Sequence, residues 1–163
     1  MYAGKIVVLG VGNLLLADEG VGIHAIQALA HRNLPEEVEL VDAGTSTLNL
    51  LPYLKEARKV VVIDAVRAGG TPGDIYRCYP EDLVANQEQP MSLHQVDFVQ
   101  LLQMADRLGY SVGPAVIYGV EPGEIGWAME LSPSVSAKMP KLLELVVAEI
   151  DKTLGEEPDV RSR

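Results

Sequence analysis

The chain has 163 residues, of which 48% are hydrophobic and 22% are charged, a composition typical of a folded globular protein and not of a disordered or fibrous one. Its 23 acidic residues outnumber its 13 lysines and arginines, and the formal net charge of −10 disfavours nucleic acid and anionic lipid as partners while permitting a cationic peptide or a metal-bearing partner. We expect a cytoplasmic protein without a membrane span. The chain has a single cysteine, its first residues do not resemble a leader peptide, and it lacks an apolar run of ~20 residues.

Strand-like and helix-like segments alternate along the sequence. Short β-branched runs predict strands at residues 5–10, 38–43, 59–66 and 115–120, and the run at 74–80 predicts an edge or antiparallel strand. Helical periodicity predicts helices around residues 23–30 and 47–58, from Ser92, and after Ser132 and Pro133, with Pro140 kinking or delaying the last one. Nearly continuous apolar strands are typical of a parallel sheet covered on both faces, so we expect a mixed α/β sheet. A single domain over residues 1–154 is predicted, with a frayed tail at 155–163.

The first strand runs into the loop GVGNLLLADEG, which has the G-x-G start of a dinucleotide-binding loop. The third glycine of that fingerprint would fall at position 15, where this chain has Leu15. Asp42, which could imitate the ribose-binding acid, lies 30 residues beyond Gly12 and not the usual ~20. Two acids at the helix entrance would also repel a pyrophosphate. A nucleotide-binding oxidoreductase is therefore disfavoured.

Acidic side chains lie at the end of each predicted parallel strand or in the loop that follows it: Asp18 and Glu19, Asp42, Asp64, and Glu121. The carboxyl ends of parallel strands meet at one edge of a sheet, where ligands bind in open α/β folds. We expect Asp18 to cap the following helix and Glu19 to face the cleft. Asp42 and Glu121 are expected to order loops or support the site from behind.

The segment PMSLHQVDF predicts a helix start, because Ser92 and Gln95 have the spacing of a capping box. His94 then occupies the second helical position, where the positive helix end favours a neutral imidazole. Such a ring serves as a metal ligand or a base, or is simply a solvated residue of the first turn, and the segment alone leaves these alternatives open. His24 and His31 are predicted to lie on the solvated face of the first helix.

The sequence shows no clear candidate for the nucleophile of covalent catalysis. Cys78 lies in a strand-like run, residues 44–48 lack the closing glycine of a nucleophile elbow, and no HExxH occurs. Two carboxylates and an imidazole remain, a set that suits a divalent metal with open positions or a metal-assisted attack by water.

Six stretches across the chain resemble the hydrogenase maturation endopeptidases, which trim the C-terminal extension of the nickel-iron hydrogenase large subunit. They are GVGNLLLADEGVG (10–22), DAGTSTLNLL (42–51), VVVIDAV (60–66), SLHQ (92–95), YGVEP (118–122) and LSPSV (131–135). The resemblance implies a three-layer fold with a twisted, mostly parallel five-stranded sheet and helices on both faces. It also implies that Glu19, Asp64 and His94 contact a metal, which in this family is thought to be nickel already inserted in the precursor. The enzyme is then expected to hold no permanent metal of its own.

The residue types of the opening loop predict its geometry. Gly10 and Gly12 are expected to let the backbone turn off the strand, Asn13 to bond that turn, and leucines 14–16 to anchor the loop on apolar surface. A nickel-binding chaperone of hydrogenase assembly, without peptidase activity, would use the same three side chains and is kept as the alternative function.

Overall fold

The computed structural model describes residues 4–46, 48–85 and 93–156. Within these ranges, the strands are β1 (Ile6–Val11), β2 (Val38–Gly44), β3 (Lys59–Ala65), β4 (Ile75–Cys78) and β5 (Ala115–Val120). The α-helices are α1 (Val21–Ala30), α2 (Leu51–Leu54), α3 (Pro80–Ala85), α4 (Leu93–Arg107), α5 (Pro133–Ser136) and α6 (Met139–Gly155). Short 3₁₀ helices cover Ala17–Gly20 and Leu48–Leu50.

The five strands form one sheet in the order β2-β1-β3-β5-β4. Pairs β1–β2, β1–β3 and β3–β5 are parallel, and β4 pairs antiparallel with β5 at the edge. This confirms the predicted fold class, including the antiparallel strand in the 74–80 run. The carboxyl ends of β1, β2, β3 and β5 consequently share one edge, and the predicted acids lie at these strand ends or in the loops that begin there.

Helices cover the sheet on both faces, and the strand period of two decides which residues meet which helices. Ile6 and Val8 of β1 pack in a core with α1 and α6, whereas Val7 and Leu9 pack in a second core with α2 and α4. Since all six residues of β1 are buried, the strand lies in the middle of a three-layer structure. This explains the nearly continuous apolar runs.

One buried ionic cluster joins α6 to three strands. The carboxylate of Glu149 accepts bonds from Arg77 Nε (2.9 Å) and Tyr118 Oη (2.9 Å), with Lys59 Nζ at 3.6 Å. Burial raises the pKa of Glu149, but the bonds from Arg77 and Tyr118 and the charge of Lys59 outweigh burial and lower it overall. The ionised acid therefore helps to fix α6 on the sheet.

Helix boundaries differ from the sequence predictions in the second helix. It consists of a 3₁₀ turn and α2 only, and ends at Leu54 instead of continuing to 58, because the chain turns there through Glu56 at a φ of 62°. Pro140 delays the last helix as predicted, so that α5 and α6 are separate. The short helix α3 was not predicted.

Three sequence predictions concern the limits of the described chain. Helix α4 is described from Leu93, and Ser92, its predicted start, lies outside the described residues. Gly155, the first residue of the predicted tail, still belongs to α6, and residues 157–163 lie outside the described residues. In the described part of the chain, no helix combines the length and apolar character that a membrane crossing requires.

Candidate functional site at the carboxyl edge of the sheet

The loop after β1 is held in place by one close backbone approach and one side-chain hydrogen bond. Gly12 adopts a φ of 139°, and a Cβ there would collide with the carbonyl of Glu19, so a side chain is excluded for both reasons. The N–H of Leu15 donates to Oδ1 of Asn13 (3.0 Å), which confirms the predicted internal bond of the turn. The position of Glu19 thus depends on Gly12.

Gly10 has a different role from the predicted one, because it lies within β1 and not in the turn. A Cβ on Gly10 would collide with the carbonyl of Gly22 and the side chain of Ile26 in α1. A Cβ on Gly22 would in turn collide with the carbonyl of Ile63 in β3. These glycines let α1 pack closely on the sheet, and the 3₁₀ helix that precedes α1 therefore lies at the end of β3.

Asp18 is buried and holds a distant loop. Its Oδ2 accepts bonds from Gly123 N (2.8 Å), Glu124 N (2.8 Å) and Ser132 Oγ (2.7 Å), and its Oδ1 accepts one from Ser132 N (2.8 Å). Burial raises the pKa of Asp18, but these hydrogen bonds to the charged form outweigh burial and lower it. The prediction that Asp18 caps the following helix is wrong, since Gly20 is the N-cap of α1 and receives no side-chain cap bond.

Glu19 and Asp64 meet at this edge, as predicted. Asp64 ends the apolar part of β3 and is only 3% exposed, and its Oδ1 accepts a bond from Ala65 N (2.8 Å). Burial first, and then the negative charge of Glu19, raise the pKa of Asp64 well above its ordinary value. Glu19 itself is partly exposed in the 3₁₀ helix Ala17–Gly20. The two carboxyl groups therefore lie within Coulombic reach of each other, one buried and one facing solvent.

His94 is the second residue of α4, which agrees with its predicted place in the first turn of a helix. Its side chain lies outside the described residues, so its approach to Glu19 and Asp64 stays a prediction. Among the His, Cys, Asp and Glu residues that the structure describes, no three are grouped so that they could hold a metal ion.

The other predicted acids fix backbone at this edge of the sheet. Oδ1 of Asp42 accepts a bond from Gly44 N (3.0 Å), and both residues belong to the carboxyl end of β2. Glu121 is buried, and its Oε1 accepts bonds from Ala68 N (3.1 Å) and Tyr76 Oη (3.1 Å), which fix the loop after β3. Glu121 therefore orders a loop as expected, whereas the bond of Asp42 fixes the end of its own strand.

The two remaining histidines differ from each other. His31 is exposed, as predicted. His24 is only partly exposed, and its Nε2 lies 2.9 Å from the carbonyl of Met129, so the prediction of a solvated residue is wrong for His24. Its partner is 105 residues away in sequence, a distance that helical periodicity does not reveal.

Two features of this edge were missed in the sequence. A cavity of about 430 Å³ lies between the loop after β2 and α4, with Thr45, Ser46, Asp97 and Gln100 in its wall. The other is an exposed apolar group around Trp127. The one tryptophan of the chain, placed in a loop rich in glycine and glutamate, was the signal that could have revealed it.

Residues 23–149 match the sequence model of the HycI hydrogenase maturation proteases. The chain belongs to the hydrogenase maturation protease family. Among its relatives, the hydrogenase expression/formation protein HupD of Rhodobacter capsulatus is 36% identical over 149 residues, covering 90% of this chain and 71% of that protein. The hydrogenase 2 maturation protease of Escherichia coli is 32% identical over 146 residues, covering 88% and 89%. The solved hydrogenase maturating endopeptidase HybD of E. coli superposes with a TM-score of 0.83 at 30% identity, covering 91% of this chain and 93% of that one.

This hydrogenase maturation protease is therefore a hydrolase that cuts peptide bonds, and its site has to supply that chemistry. Cys78 is a poor candidate nucleophile, because burial and the charge of Asp82 raise the pKa of its thiol. A carboxyl pair with one raised pKa is an arrangement that active sites use for proton transfer or for binding a cation. Glu19 and Asp64 thus remain the best candidates on this edge.

Proposed function

We propose that this protease removes the C-terminal extension of the large-subunit precursor of a nickel-iron hydrogenase, and that it recognises nickel already bound in that precursor. Glu19, Asp64 and His94 are the proposed nickel-contacting and catalytic residues. The main support is Asp64, a buried carboxyl group at a sheet edge whose pKa is raised by burial and by the nearby charge of Glu19.

The carboxyl pair has the chemistry that a cation binder needs. Burial and the negative charge of Glu19 both raise the pKa of Asp64, so ionising Asp64 beside Glu19 is costly, and a divalent cation next to the pair removes that cost. Carboxylate oxygen and neutral imidazole nitrogen both bind nickel, which has a high affinity among first-row divalent ions. Since the precursor supplies the ion, the site is complete only when a nickel-loaded substrate docks. Checking the cofactor and cutting the chain then depend on one binding event.

Hydrolysis requires a water molecule to attack the scissile carbonyl. In the proposed mechanism, a carboxylate of the pair accepts the proton of that water and then returns it to the leaving amine. The non-proteolytic chaperone is set aside because the chain belongs to a protease family. The nucleotide-binding alternative is set aside because the two glycines of the G-x-G have other roles. Gly10 lets α1 pack on the sheet, and Gly12 makes room for the carbonyl of Glu19.

The deciding experiment incubates the purified protein with nickel-loaded and nickel-free precursor and measures the precursor mass before and after. We expect loss of a C-terminal fragment from the nickel-loaded form only. Equal cleavage of both forms would remove nickel recognition from the proposal, and an unchanged mass of both forms would refute the proposed activity.

Three variants assign the residues. Glu19→Gln and Asp64→Asn keep side-chain shape while removing the charge, and each is expected to abolish cleavage with the fold intact. Glu144→Gln is the matched control, because Glu144 is a largely exposed acid on α6 that pairs with the exposed Lys141, three residues away. Full activity in either site variant would exclude that residue from the site.

A further inference from the structure

Three large apolar side chains are exposed on the loop that precedes Glu19 and on the segment that is hydrogen-bonded to this loop. Trp127 is 83% exposed, Met129 59% and Leu15 49%. Isolated exposed apolar residues are ordinary on protein surfaces, but these belong to two segments that are hydrogen-bonded to each other. Ala128 N donates to the carbonyl of Leu15 (3.0 Å), and Ala17 N donates to the carbonyl of Ala128 (2.7 Å). The prediction that leucines 14–16 all anchor the loop is consequently wrong for Leu15. We call Leu15, Trp127 and Met129 the Trp127 patch.

The patch is presented on a fixed support. Asp18 binds the start and the end of the loop that carries Trp127, through Gly123 N and Ser132 N. His24 in α1 contacts the carbonyl of Met129 at 2.9 Å. Ordered backbone beneath exposed apolar side chains lowers the entropy cost of binding, which is typical of a docking surface. Asp18 also precedes Glu19 directly, so the patch and the candidate site share one support.

The charge around the patch indicates which partner fits. Residues 121–132 contain three glutamates and no lysine or arginine, and Glu124 and Glu130 are exposed. Residues 13–20 add two further acids and no base. An apolar surface with an acidic rim complements an apolar segment flanked by lysine or arginine. It repels anionic lipid, and it repels a second copy of the same acidic face.

We propose that the Trp127 patch docks a segment of the precursor protein that carries apolar side chains flanked by lysine or arginine, outside the bond that is cut. The proposal rests on the proposed function, since the occupant is the substrate of that reaction. Docking at the patch would hold the precursor while Glu19 approaches the bound nickel. Such binding contributes equally to substrate and transition state, so its loss affects KM and leaves kcat unchanged.

Steady-state cleavage of nickel-loaded precursor tests this proposal. Trp127→Ala and Met129→Ala are each expected to raise KM by about tenfold, which corresponds to about 1.4 kcal/mol of binding free energy, with kcat within about twofold. Leu108→Ala is the matched control, because Leu108 is 55% exposed and follows α4 toward the opposite edge of the sheet. It is expected to leave both constants unchanged.

The acidic rim is tested separately. Glu124→Gln and Glu130→Gln are expected to weaken precursor binding in low salt and to reduce its dependence on salt, because fewer charge pairs then form. Two other occupants of the patch are tested with the wild-type protein. Sedimentation detects binding of a second copy of the chain, and vesicles with anionic lipid detect binding to a lipid surface. Dimerisation or vesicle binding that Trp127→Ala abolishes would overturn the assignment of the precursor.

The outcomes distinguish this inference from the proposed function. If the wild type cleaves the precursor and the patch variants show unchanged KM, the docking proposal is wrong and the proposed function stands. If the wild type neither binds nor cleaves the precursor, the proposed function is wrong, and the assigned occupant is refuted with it. An unchanged melting temperature of Trp127→Ala confirms that a raised KM does not arise from unfolding.

Discussion

The substitution Asp18→Asn tests the structural role of Asp18 separately from the chemical role proposed for Glu19. The asparagine keeps the shape of the aspartate but has one acceptor oxygen instead of two, and its NH₂ group cannot accept a hydrogen bond. Oδ2 of Asp18 now serves Gly123, Glu124 and Ser132 Oγ, and Oδ1 serves the N–H of Ser132. Whichever way the amide points, at least one of these donors faces another donor.

The cost follows from the better of the two orientations. With the amide oxygen at the place of Oδ2, three donors keep an acceptor and the N–H of Ser132 loses one. Since Ser132 is buried, that loss costs about 1–3 kcal/mol. The three retained bonds lose the strengthening by a formal charge, which adds about 1 kcal/mol overall after allowance for solvent at Gly123 and Glu124. We expect Asp18→Asn to lower the free energy of unfolding by about 3 kcal/mol, or the melting temperature by about 6–12 °C.

Urea unfolding followed by circular dichroism measures this cost, and amide hydrogen exchange locates it. Exchange is expected to quicken first at Gly123, Glu124 and Ser132, where the loop loses its attachment. Glu19→Gln is the matched control at the next residue, and its free energy of unfolding is expected to lie within about 0.5 kcal/mol of the wild type. If Asp18→Asn were equally close to the wild type, the assignment of Asp18 as the anchor of the 121–132 loop would be refuted.

Four further predictions address single residues. Glu149→Gln is expected to destabilise the protein by about 2–4 kcal/mol at neutral pH, measured by urea unfolding, because its cations lose their buried partner. The folded-state pKa of Glu149 is lowered, so its stabilising effect is complete above about pH 5 and disappears as the pH falls through that pKa, and the difference between the two proteins should vanish in acid. Gly12→Ala is expected to reduce cleavage more than ten-fold (about 1.4 kcal/mol or more) by displacing Glu19, and normal cleavage would contradict the close approach. Glu19→Gln is expected to lower the pKa of Asp64, which carboxyl NMR titration detects, while burial keeps it above its ordinary value. Cys78 is expected to react with an alkylating reagent at neutral pH more slowly in the folded than in the urea-unfolded protein, because burial raises its pKa.

Much of the fold follows from local pattern. The β-branched runs predicted β1, β2, β3 and β5, and the run at 74–80 predicted β4. The nearly continuous apolar runs predicted a sheet covered on both faces. Each of these signals is carried by a few neighbouring residues. The end of α2 could not be predicted in this way. The stripe of Leu50, Leu51 and Leu54 continues the helical period, but the chain has to reach β3 at Lys59, and the turn at Glu56 ends the helix. Tertiary geometry there outweighs a weak local preference.

The candidate site was predictable only in part, for a similar reason. Strand ends placed Glu19 and Asp64 at one edge, because the topology of a parallel sheet brings its carboxyl ends together. The partners of Asp18 and His24 lie more than one hundred residues away in sequence, in the loop 121–132. No period or motif in the sequence encodes such contacts. The exposure of Trp127 could not be predicted for the same reason, because it depends on which distant residues pack against the loop.

The contrast between Asp18 and Asp64 is the physical argument for where a cation should bind. Both are buried aspartates at the same edge of the sheet, so residue type and burial do not distinguish them. Asp18 accepts four hydrogen bonds that favour its ionised form, and the protein itself therefore neutralises the cost of burying this charge. In the described part of the chain, Asp64 accepts one backbone bond and faces the negative charge of Glu19, so its ionised form lacks comparable support. A positive ion brought to this edge gains more from Asp64 and Glu19 than from Asp18, and that difference is the physical reason for our proposal that the nickel of the precursor binds at this pair.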